Sequence, residues 1–87
     1  MASFRVNGRI FAAVPPSNDV VHIFLDEAEI HACVREYPDV FEELWWGKKL
    51  EGLRVIIRRA DPDHVGELLH DAWRRKAPKR AIAGLGE

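Results

Sequence analysis

The chain has 87 residues, 47% of them apolar and 31% charged, which suits one compact folding unit and leaves no room for a second. Lys and Arg number 13 against 14 Asp and Glu, so no strong overall field draws the molecule to phosphate or membrane, and any electrostatic binding has to be local. The lone cysteine, Cys33, excludes an internal disulfide, and with no charged-then-apolar leader and no apolar run of spanning length, a cytoplasmic location is expected.

Residues 4–14 read F-R-V-N-G-R-I-F-A-A-V. Asn7-Gly8 between short apolar runs predicts a two-residue hairpin turn, because both central positions of such a turn need positive φ and these residues tolerate it best. Pro15-Pro16-Ser17-Asn18-Asp19 predicts a loop, since its prolines neither donate to a ladder nor continue a helix. Val20 to Leu25, V-V-H-I-F-L, predicts a third strand. Asp26 is a good helix cap with Glu29 three residues on. Ile30, Cys33, Val34 and Tyr37 then recur at helical spacing until Pro38.

The stretch from Phe41 to Arg59, F-E-E-L-W-W-G-K-K-L-E-G-L-R-V-I-I-R-R, reads as two strands joined by a turn containing Gly47, Lys48 and Lys49. Asp61-Pro62-Asp63 opens a second helix, with Asp61 as cap and Pro62 at the first helical position. Val65, Leu68, Leu69, Ala72 and Trp73 form its apolar stripe, Arg74-Arg75-Lys76 sit at its negative dipole end, and Pro78 is expected to stop it. Residues 81–87 have little to bury and are expected to form a loose tail. The order β-β-β-α-β-β-α predicts a single α+β domain over 1–87, an antiparallel sheet of about five strands with two helices on one face. Composition and spacing specify that class and no activity.

Three segments in order, S-F-R-V-N-G-R-I-F-A, W-W-G-K-K-L-E-G-L-R-V and H-D-A-W-R-R-K-A-P-K-R, together resemble the MmcQ/YjbR-like family. Its members commonly share such a first hairpin, an aromatic-Trp-Gly-basic turn before a late strand, and a final helix ending in Ala-Pro-Lys-Arg. The resemblance implies a frataxin (CyaY)-like fold and a double-wing DNA-binding role. Family members usually carry a helix and loop of roughly 25–35 residues before the first hairpin. This chain starts at Ala2-Ser3-Phe4 without them, so an open apolar face, and with it a homodimer or a covering partner chain, is expected. Ala81 stands where the family often has leucine, which bears on packing of the tail.

Under that reading Arg5 and Arg9 at the first wing tip, and Lys48 and Lys49 at the second, neutralise phosphates while Trp45 or Trp46 stacks or wedges. The alternative is solvated lysines at a turn and tryptophans in the core, and Glu42, Glu43 and Glu51 flank the second wing with the wrong sign. Arg74, Arg75, Lys76, Lys79 and Arg80 form the densest cationic cluster. It suits DNA or an acidic partner, or else only complements the helix dipole. Arg54, Arg58 and Arg59 extend the patch if they lie on the right sheet face.

No cofactor, metal or small-molecule substrate is expected. His64 with Asp61 and Asp63 is accounted for by helix-start chemistry and lacks a recognised ligand spacing. Frataxins use an acidic ridge for iron, but Glu27, Glu29, Glu36, Glu42 and Glu43 are spread over cap and solvent positions. Cys33 lies on an apolar stripe, and His22, His31 and His70 have no nucleophile motif nearby, so no enzyme is expected. The alternative to DNA binding is a non-catalytic interaction or homodimerisation module.

Overall fold

Five strands and two helices follow one another in the predicted order in the computed structural model, which describes residues 2–6, 8–17 and 19–77. They are β1 (Ala2–Val6), β2 (Arg9–Val14), β3 (Val20–Phe24), α1 (Glu27–Glu36), β4 (Phe41–Trp46), β5 (Lys49–Ile56) and α2 (Pro62–Lys76). The strands form one sheet in the order β1-β2-β3-β5-β4, with every neighbouring pair antiparallel. The α+β architecture is the expected one. Asn7, Asn18, the Pro78 helix stop, Lys79, Arg80 and the 81–87 tail lie outside the described residues.

Register decides which side chains meet. Val21 pairs with Val55, Ile23 with Leu53, and Phe41 with Val55, so these residues share one face, as strand period requires. Both helices cover that face: Ile30 and Cys33 of α1, and Leu68 and Ala72 of α2, are buried in one cluster with Ile23, Leu53 and Val55. Among the described residues no element covers the other face, which carries His22, Phe24, Leu44, Arg54 and Glu42.

The caps follow the sequence. Glu29 N–H donates to Asp26 Oδ1 at 2.9 Å and Asp63 N–H to Asp61 Oδ1 at 3.0 Å, each satisfying an amide that the first helical turn leaves without a partner. Gly47, with φ of +61°, gives the tight β4–β5 turn a left-handed position that a side chain would strain.

Two expectations need correction. Tyr37 is not on the α1 stripe but caps its C-terminus at φ −133°, 48% exposed, because a residue before proline is driven out of the helical region. The late strand stops at Ile56, and Ile57–Arg59 form a single 3₁₀ turn. There Ile57 N–H donates to Asp19 O and Ala60 N–H to Ile57 O, a bend that delivers the chain to the Asp61 cap.

Candidate nucleic-acid interface

Antiparallel pairing brings both hairpin tips to one end of the sheet. β2 leaves the first tip at Arg9, β3 returns to end at Phe24, and Phe24 pairs with Gly52 close to the start of β5 beside the second tip. α2 begins at the far end, after β5, and runs back over β2 and β3. Its last residue, Lys76, therefore reaches the same end. Partial burial, and then the charges of Arg75 and Arg9, hold the Lys76 ammonium below its ordinary pKa; Lys49 adds to this and Glu51 opposes it. Four cations from α2, β2 and β5 thus share one field.

Of the expected interface residues, Arg9, Lys49 and Arg75 lie close enough to Lys76 for their charges to act on its ammonium, Arg5 and Lys48 belong to the same two tips, and Arg74 is exposed on the same helical turn. Arg5 donates back to Gly8 O at 3.5 Å across its own turn, and Lys49 lies 3.7 Å from Glu51. Arg54, Arg58 and Arg59 do not extend the cluster. Arg54 sits mid-sheet on the uncovered face, 3.7 Å from Glu42, while Arg58 and Arg59 occupy the opposite end, where Arg59 reaches Asp39 O at 3.4 Å. Neither of the paired tryptophans is in the core. Trp46 is 80% exposed and Trp45 50%, and Trp45 Nε1–H donates to Glu43 Oε1, whose other oxygen meets His31 Nδ1 at 3.3 Å.

No protein-family model, no curated protein and no solved structure matches this chain.

The other titratable groups have structural explanations. His64 packs edge-on between Tyr37 and Phe41, with ring centroids 5.5 Å from each, while Asp61 is occupied as a cap. Among the described residues no three His, Cys, Asp or Glu side chains converge to hold a metal ion, and no helix is long and apolar enough to cross a membrane. Burial, and then the charges of Glu29, Glu36 and Asp71, push the Cys33 thiol up to about 11, which removes the thiolate that nucleophilic chemistry needs.

Sequence reasoning missed two features. Glu29 of α1 faces Asp71 of α2: burial, and then the hydrogen bond and charge of Asp71 with the charge of Asp26, raise its carboxyl to about 7, and Arg75 offsets this only in part. The uncovered sheet face also holds an apolar hollow of about 380 Å³ lined by His22, Phe24, Leu44, Trp45, Trp46 and Glu51. The alternation in V-V-H-I-F-L, with His22 and Phe24 opposite in phase to Ile23 and Leu25, was the signal for the hollow.

Proposed function

We propose that this chain is a small, non-catalytic, cytoplasmic DNA-binding protein of the MmcQ/YjbR-like kind, which holds the phosphate backbone with its two hairpin tips and the basic end of α2. The observation that carries the reading is the convergence of Arg9, Lys49, Arg75 and Lys76 from three elements at one end of the sheet. A crowded set of cations, one of them with a depressed pKa, gains from a bound anion what it loses by mutual repulsion, and closely spaced phosphates supply that anion. Contacts of this type position a duplex without reading its bases, consistent with a chain whose net charge is only −1.

The test is fluorescence anisotropy against a labelled duplex of random sequence at low and near-physiological salt. Micromolar binding that falls steeply with salt is expected. The double reversal Lys48→Glu/Lys49→Glu should weaken binding, lower the logarithmic salt slope by about 2 and leave the melting temperature unchanged. Unaltered binding by that variant removes the second tip from the interface, and no binding at low salt refutes the DNA reading. A second reading, a homodimerisation module, draws on the exposure of Trp46 at 80%; it predicts a dimer in light scattering that is insensitive to salt.

A further inference from the structure

The uncovered sheet face joins an apolar hollow to the cationic end without a break. In register Trp46 pairs with Lys49, so the indole and the ammonium stem leave the same side of neighbouring strands, and Gly47-Lys48 is the turn between them. Behind Trp46 lie Leu44 and Phe24, which flank Gly52 on either side. With His22, Trp45 and Glu51 they line a depression of about 380 Å³, in the lower part of the range that holds small ligands.

The lining is close to electrically neutral. Glu51, its only acidic residue, is within 3.7 Å of Lys49, and the neighbouring Glu42 is within 3.7 Å of Arg54. Burial, and then the Arg54 charge, hold the His22 imidazole below its ordinary pKa, so it is neutral at physiological pH. None of the hydrogen bonds among the described residues engages the Trp46 indole N–H, whereas that of Trp45 is taken by Glu43. A large aromatic plane, 80% exposed, therefore stands over a neutral apolar hollow with Lys48 and the Glu51-paired Lys49 at one rim.

We propose that this face is a subsite for an unpaired nucleobase of a single strand: the base stacks on Trp46 and enters the hollow over Phe24 and Leu44, while Lys48 and Lys49 hold the adjoining phosphate. The inference rests on the nucleic-acid reading above and deepens it. A flat, uncharged heterocycle linked to an anion is what an aromatic plane beside paired lysines complements, and stacking of this kind accepts any base. A second copy of the chain fits less well. The apolar part of the face is Phe24, Leu44, Trp46 and the half-exposed Trp45, bounded by the Arg54–Glu42 and Lys49–Glu51 pairs, and Phe24 and Leu44 are already partly buried. That falls short of the roughly 800 Å² per partner of a stable interface.

The experiment compares wild type, Trp46→Ala and Trp46→Phe on a labelled random single strand and on its duplex, with indole emission and light scattering read on the same samples. Single-strand binding with quenched emission is expected for wild type. Trp46→Ala should lose roughly 5- to 150-fold in single-strand affinity, Trp46→Phe should recover part of it, and duplex affinity should stay within about twofold, since phosphate contacts dominate there. Because Trp46 is a surface residue, the variants should melt with wild type. Unchanged single-strand affinity in Trp46→Ala with duplex binding intact overturns the base subsite alone. Equal losses on both substrates make Trp46 a duplex wedge and also overturn it. A wild-type dimer that Trp46→Ala dissociates assigns the face to a second copy. Failure of wild type on both nucleic acids at low salt overturns this inference together with the reading beneath it.

Discussion

At Gly52 the sheet leaves no room for a side chain: a Cβ there would overlap the Ile23 carbonyl oxygen and press on the Phe24 backbone. Gly52→Ala should therefore push β3 and β5 apart and cost about 1–3 kcal/mol, read as a lower urea midpoint. Gly66 in α2 presents the opposite case, since a Cβ there meets nothing within 4 Å. Gly66→Ala should stabilise by about 0.5–1 kcal/mol because alanine restricts the unfolded chain and suits a helix. Glu29 gives a pH dependence with a definite sign. Its folded pKa of about 7 lies above the ordinary 4.5, so its contribution is fully present below 4.5 and is lost as pH rises through about 7. Glu29→Gln keeps a donor toward Asp71 at every pH, so wild type should lose thermal stability relative to this variant between pH 5 and pH 8. A difference in melting temperature that stays constant over that range would exclude a proton shared across the helices.

At the scale of elements, neither helix is stable by itself: with 10 and 15 residues, both are near or below the length at which isolated helices persist in water. Each is started by an aspartate cap and held by one apolar stripe on the sheet. Asp61→Ala removes the acceptor for Asp63 N–H and should cost about 1 kcal/mol in a denaturant titration, with the fold retained because Pro62 still favours the first turn. No measurable loss would mean that the tertiary contacts of Leu68 and Ala72 alone fix where α2 begins. β5 holds the architecture together from the centre of the sheet, paired with β3 on one side and β4 on the other. Its helix-facing residues Leu53 and Val55 are fully buried, which is why the alternating stretch L-R-V-I lies here and not at an edge.

At the scale of the whole molecule, one core supports 87 residues, a size at which net stability amounts to a few kcal/mol, so each change above is a sizeable part of the total. Core and proposed interface are separated spatially. Apolar packing lies between the sheet and the two helices, cations collect at the end where both tips meet the close of α2, and the exposed aromatic ring lies on the sheet face the helices leave bare. Such a layout lets the cationic end change charge at little cost to folding, as the expected unaltered melting temperature of the Lys48/Lys49 reversal requires.

What the sequence determined by itself was local. The Asp26 and Asp61 caps, Pro62 at a helix start, a turn at Gly47-Lys48 that is one residue shorter than expected because Lys49 already belongs to β5, and the periods of α2 and β3 all follow from backbone chemistry within a few residues. The element order and the α+β class followed from them. Where short-range signals conflicted, the reading failed: Tyr37 keeps helical spacing, yet Pro38 removes it from the helix, and Ile57 continues an apolar run, yet its amide turns to Asp19. Only the tertiary structure decided that β5 lies between β3 and β4, that Arg54 pairs with Glu42 while Arg58 and Arg59 stand at the far end, that Glu29 meets Asp71, and that Lys76 shares a field with Arg9 and Lys49. The physical reason is common to all four. Each depends on register and on the direction in which packed elements run, and these are fixed by burying one face of the whole sheet at once and by no single segment of chain.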